Sequence, residues 1–113
     1  MYEVITRLAG VTYGDAQKNI NKFGWEDIPT YVLVREPDNS HDTNAINVSL
    51  FVLYHMGYVP RQIAIELAPM MDAGRDFIVE FVGRNESPYA SVVGLTVRII
   101  EENKSKGGDN YGK

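Results

Sequence analysis

Few side chains in this sequence are equipped for chemistry. There is no Cys, so thiolate nucleophiles, thiolate metal sites and disulfides are excluded. The Ser residues fall in turns or strands without the strained strand-to-helix elbow of a nucleophilic Ser. No two carboxylates are spaced to converge as an acid–base pair. Only two His are present, His41 and His55. With Asp42 they make three candidate metal ligands, but helical ligand spacing is missing, and a bound metal is the weaker reading. The sequence points away from an enzyme, a metal or a cofactor, and toward a domain that binds.

What it binds is constrained by charge. Eleven Lys plus Arg against 15 Asp plus Glu leave a formal net charge of −4, the wrong sign for a protein that coats duplex nucleic acid by bulk attraction. Any nucleic-acid binding must be local, with a few cations and aromatic rings gathered in one groove. Taken alone, Arg7 and Arg61 read as solvated surface charges and Tyr58 as a half-buried strand residue.

The elements that must position these groups follow from pattern. The 113 residues suit one domain with one core. Tyr2 to Leu8 read as a first strand running into a turn at Gly10. Asp15 is placed as an N-cap for a short helix carrying Ala16, Ile20 and Phe23 and ending at Gly24. After a polar link containing Pro29, Thr30 to Arg35 is dense in β-branched and aromatic residues, as a central strand would be. Glu36 to Asn44, EPDNSHDTN, is a structured loop in which Asx side chains satisfy nearby amides. Structural duty is therefore the expectation for Arg35, Glu36, Pro37, Asn39 and Asn44, whereas Asp42 is balanced between capping and binding.

Ile46, Val48 and Leu50 then alternate cleanly with Asn47 and Ser49, and a hairpin partner follows at Tyr54 to Val59. Phe51, Val52 and Leu53 occupy the connection, where Gly, Asn or Asp is expected. Pro60 suits the first position of a helix, and Ile63, Ala64, Leu67, Met70 and Met71 form its core-facing stripe. Pro69 predicts a kink or two short helices, stopping at Gly74. Phe77 to Val82 and Val92 to Glu101 read as two further strands around a loop from Gly83 to Ser91. The polar stretch after residue 102 is too poor in apolar groups to pack and is expected to be disordered, leaving a domain over residues 1–102 and a tail over 103–113. The expected fold is mainly β with two short helical segments: about six strands in a small closed antiparallel β-barrel.

Two blocks carry a family resemblance. VLVREPDNSHDTNAINV (Val32 to Val48) and MGYVPRQIAIELAPMM (Met56 to Met71) resemble the HIRAN family, in which a strand ending Arg-Glu-Pro leads to an Asn-x-x-Asp-x-Asn-Ala-Ile-x-Val turn and a Gly-Tyr-Val-Pro-Arg step enters a helix. The resemblance implies an OB-like six-stranded barrel that binds the free 3′-hydroxyl end of single-stranded DNA. It implies that Asp42 accepts a hydrogen bond from the terminal sugar hydroxyl. His41 takes the place of a base-stacking Tyr, and Tyr58 and Arg61 the places of a backbone-contacting His and Lys. The Arg-Tyr pair of the relatives corresponds to Thr6 and Arg7, which keeps the cation without the ring, and Tyr89 is the aromatic nearest to their loop Phe.

The relatives attach this domain to an ATPase motor, yet no Gly-x-x-x-x-Gly-Lys-Ser/Thr loop occurs here. The implied partners are single-stranded DNA and a protein such as a helicase or nuclease. No apolar run reaches the roughly 20 residues of a membrane span, no signal peptide opens the chain, and a cytoplasmic location is expected. The alternative function is a protein-interaction module that keeps the barrel without the DNA ligand and docks through Phe51, Val52 and Leu53.

Overall fold

Apolar residues alternating with polar ones build the sheet, and the two helices cover what the sheet leaves open. A computed structural model describes residues 1–24 and 31–102. The elements run β1 (Glu3–Arg7), α1 (Ala16–Phe23), β2 (Tyr31–Arg35), β3 (Ile46–Leu50), β4 (Tyr54–Tyr58), α2 (Arg61–Asp72), β5 (Phe77–Ser87) and β6 (Ala90–Glu101). All strand pairs are antiparallel, in the order β1-β6-β5-β2-β3-β4. The expected start of β2 at Thr30, the Pro29 link and the tail over 103–113 lie outside the described residues.

The inward faces are those the alternation marks. Ile46, Val48, Leu50, Leu95, Val97 and Ile99 are fully buried, joined by Met56 from β4, Ile20 from α1 and Leu67 from α2. Each such side chain contributes about 1.5–3 kcal/mol by leaving water. Ile63, Met70 and Met71 pack at the margin of this cluster.

The expected closed barrel is corrected to an open half-barrel. The edge strands β1 and β4 share no ladder. They meet only beyond the end of β1, where Ala9 N donates to Tyr58 O at 2.7 Å and Tyr58 N to Ala9 O at 2.8 Å. Two features stop the zipper there. Gly10, at φ 60, turns the chain away, and α1 fills the gap that more ladder would occupy. Gln17 bonds the carbonyls of Val11 (2.9 Å) and Val93 (2.7 Å), while Asn19 Nδ2 donates to His55 O on β4 at 2.9 Å. The helix thus seals a seam between β6 and β4. Gly57 permits the contact: a Cβ there would lie 2.9 Å from Ala9 O.

Three local expectations also change. The helix from Arg61 to Asp72 is continuous through Pro69. The carbonyl that loses its partner belongs to Ile65, which is 59% exposed, so water can satisfy it. Pro60 stands before the first helical residue, and its carbonyl accepts from Ile63 and Ala64. The supposed loop from Gly83 to Ser91 is mostly ladder, because β5 and β6 continue as a two-stranded arm pairing as far as Ser87 with Ala90. Its β5 residues from Gly83 to Ser87 carry no apolar alternation, which hides it from pattern reading.

Candidate nucleic-acid interface

The loop between β2 and β3 is self-supporting, as its Asx content suggests. Asn39 Oδ1 accepts from the backbone N–H groups of His41 (2.8 Å) and Asp42 (3.1 Å), and Asp42 Oδ1 accepts from Asn44 N (2.9 Å). Arg35 pins the loop's end by donating to Ala45 O at 2.9 Å while its guanidinium forks onto Asp72 at 2.9 and 3.1 Å.

Glu36 ties this loop to the sheet. Its Oε1 accepts from Asn39 (3.0 Å) and from the Tyr58 hydroxyl (2.9 Å), and its Oε2 from Asn47 (2.9 Å). Burial works against the carboxylate, but these three bonds outweigh it and hold its pKa below the usual value. Tyr58 responds oppositely: burial, then its bond to Glu36, pushes the phenol up to about 12. The hydroxyl of Tyr58 therefore belongs to the scaffold.

The result is a hollow of about 290 Å³ whose lining includes His41, Asp42, Tyr58 and Arg61. These four, separated by up to 20 residues in sequence, were all expected to act together. Asp42 and Arg61 face each other, with Arg61 Nε 3.5 Å from Asp42 Oδ2, and Arg61 also donates to His41 O at 3.1 Å. The Arg61 side chain is 74% exposed, so its guanidinium stays accessible to solvent. Asp42 thus caps the loop through Oδ1, while Oδ2 points toward the Arg61 cation beside the hollow.

Arg7 is not among them. It lines a separate hollow of about 470 Å³ with Arg84, Asn85 and Ser87. Tyr89, at the tip of the β5–β6 arm, is 95% exposed and lines neither hollow.

Sequence reasoning missed Tyr13. It is 62% exposed, lines the same hollow as Asp42, and packs edge-on to Tyr58 at 6.2 Å. Its flanking glycines, Gly10 and Gly14, both adopt positive φ. A ring held in a glycine-bounded turn has no strand or helix to carry it into a core, and that was the available signal. Behind it lies His55, edge-on to Tyr13 at 6.2 Å and to Tyr58 at 5.0 Å. Both ring nitrogens of His55 are buried without a hydrogen-bond partner among the described residues. Burial lowers its pKa, against the pull of Glu36 and Asp15.

The geometry defines a class: a small, open, antiparallel β domain presenting one aromatic hollow with a carboxylate and a guanidinium at its edge. The HIRAN domain family matches residues 1–99, and the chain belongs to that family. HIRAN is a binding domain, not a catalytic one. The HIRAN domain of human HLTF shares the fold at 16% identity, with 94% of this chain and 81% of that one covered and a TM-score of 0.64. A Lactobacillus plantarum protein is 20% identical, with 89% and 100% covered and a TM-score of 0.63. No curated protein sequence matches the chain. No helix among the described residues is long and apolar enough to cross a membrane.

Proposed function

We propose that this domain binds single-stranded DNA at its 3′ end, in the hollow between the β2–β3 loop and the start of α2. The observation that carries the reading is the gathering of His41, Asp42, Tyr58 and Arg61 around one hollow with an exposed Tyr13. In this reading Asp42 Oδ2 accepts the terminal 3′-hydroxyl, a role suited to an ionised carboxylate. Arg61 releases its contact with Asp42 to meet the adjacent phosphate. The rings of Tyr13, His41 and Tyr58 supply stacking faces, each worth about 1–3 kcal/mol per base. With Tyr13 present, the aromatic complement exceeds what the sequence promised. A DNA ligand implies a compartment that holds DNA, and the absence of Cys suits the cytoplasm.

Fluorescence anisotropy of the whole chain with labelled oligonucleotides ending in 3′-hydroxyl or 3′-phosphate tests this. A terminal phosphate would bring like charge against Asp42, so the hydroxyl end binds more tightly and Asp42→Asn narrows the difference. Equal binding of both ends removes end recognition.

A second reading has its own observation. Phe51, Val52 and Leu53 form an exposed apolar tip (51%, 64% and 76%) whose first two residues sit at φ 56 and 68, a strained conformation for non-glycine residues. Such a tip suits docking on a partner protein, for instance a helicase or nuclease. Nucleic-acid retention that is absent, or indifferent to Arg61→Glu, favours this reading.

A further inference from the structure

Three residues apart, His55 and Tyr58 would face opposite sides of a regular strand. β4 is not regular: its register against β3 shifts between Val48 and Ser49, and the extra residue falls between His55, opposite Ser49, and Gly57, opposite Val48. The bulge turns both rings the same way, with centroids 5.0 Å apart. Tyr13 meets each of them edge-on at 6.2 Å. His55 is thereby the inner member of an aromatic trio whose other two members, Tyr13 and Tyr58, line the hollow beside Asp42.

The three are held unequally. Tyr58 is fixed by its hydroxyl on Glu36 at 2.9 Å and by two backbone bonds to Ala9, and the carbonyl of His55 accepts from Asn19 on α1 at 2.9 Å. The Tyr13 hydroxyl makes no hydrogen bond among the described residues, and the residue rides on a turn between Gly10 and Gly14, both at positive φ. Its ring stays where His55 and Tyr58 seat it.

Both ring nitrogens of His55 are buried without a partner among the described residues. A neutral ring serves there as packing, but an imidazolium donates from both nitrogens and needs two acceptors. Two carboxylates face it, Glu36 from the β2–β3 loop and Asp15 from the head of α1; both attract the proton, and burial outweighs them. On the same face β3 presents only the neutral Asn47 and Ser49. The Tyr58 phenol, pushed up to about 12, stays uncharged wherever a His titrates. Glu36 already accepts from Asn39, Asn47 and Tyr58, so it cannot take the imidazolium without giving up a bond that holds the site. Water is the remaining acceptor, and the movable wall that admits it is Tyr13.

We propose that His55 is the positioning residue of this hollow and makes it proton-sensitive: the neutral ring seats Tyr13 against Tyr58, and a proton on His55 displaces Tyr13 and dismantles one wall. The inference rests on the proposed function and adds regulation to it, since the strand binds the neutral form and acid releases it. By linkage a bound strand must make His55 harder to protonate. The negative charge of its phosphates, taken alone, would make protonation easier.

That opposition of signs gives the test. The His55 ring is titrated by NMR in the whole chain, free and saturated with a short 3′-hydroxyl oligonucleotide, and its midpoint should move lower on binding. Anisotropy with the same strand supplies the second readout, comparing wild type with His55→Phe, which keeps a ring in place and removes the proton site. About one pH unit below the free midpoint, wild type should lose about tenfold in affinity beyond whatever His55→Phe loses, the factor set by one linked proton. His41 is common to both proteins, so its contribution cancels. A midpoint that stays or rises on binding, equal losses in the two proteins, or unfolding before His55 takes up a proton overturns the switch and leaves the end-binding hollow standing. Failure of the wild-type protein to bind the strand at any pH overturns the proposed function and this inference with it.

Discussion

Replacing Glu36 with Ala should unfasten the candidate site without unfolding the domain. Glu36 accepts three side-chain hydrogen bonds, from Asn39, Asn47 and Tyr58, at 2.9 to 3.0 Å. A hydrogen bond to a charged group contributes about 1.5–3 kcal/mol, so three at the low end give about 4.5 kcal/mol. All four residues are only partly buried, and water replaces some of the loss, which brings the expected cost of Glu36→Ala to about 3 kcal/mol. That is below the 5–15 kcal/mol typical of a domain, so the protein stays folded with a Tm lower by about 12–20 °C. Glu36→Gln keeps the Oε1 acceptor for Asn39 and Tyr58 and turns only the Asn47 bond into a donor facing a donor, costing about 1–1.5 kcal/mol. Urea unfolding followed by circular dichroism measures both. The pH dependence has a definite sign: because the folded pKa of Glu36 is lowered, its stabilisation is present above the unfolded value and is lost as pH falls through the folded one. Glu36→Ala should therefore flatten the acid limb of the stability curve. A cost within about 0.5 kcal/mol of wild type, or a Glu36→Gln protein as unstable as Glu36→Ala, would refute the hub.

Two further outcomes are expected. Phe51→Asn with Val52→Gly relieves two left-handed positions, each strained by about 1–2 kcal/mol for ordinary residues, and after the added entropy of Gly the double variant should gain about 1 kcal/mol in thermal unfolding; an unchanged or lower Tm would mean that the turn carries no strain. His55, whose pKa burial lowers, should titrate by NMR below the usual 6.5, and the stability it holds above that value should decline as pH falls toward its folded pKa. A midpoint at or above 6.5 contradicts the buried, unpartnered ring.

Most strands could be read from the sequence because burial imposes period-two alternation wherever a face meets the core, as in Ile46, Val48 and Leu50. The β5–β6 arm escaped because Gly83 to Ser87 pair without any apolar alternation to mark them. Closure escaped for another reason: whether two sheet edges zip together depends on what lies between them, and only the fold reveals that α1 occupies that seam through Gln17 and Asn19. The loop residues of the site were legible because Asx side chains announce their own turn, with Asn39 and Asp42 bonding as their spacing suggests. Tyr13 and Arg7 exchanged importance at the first hollow. Both flank a turn at Gly10 whose direction the sequence leaves open, and that direction decides which of the two faces Asp42.

The central claim is that one hollow, made by the β2–β3 loop, the Tyr13 turn and the start of α2, receives the end of a single DNA strand. Titrating the ¹⁵N-labelled protein with a short 3′-hydroxyl oligonucleotide and mapping amide shifts tests it directly. The account predicts that the largest shifts fall on Gly10 to Tyr13, Asn39 to Ala45 and Tyr58 to Arg61; shifts confined to other surfaces, or none at saturating DNA, would contradict it.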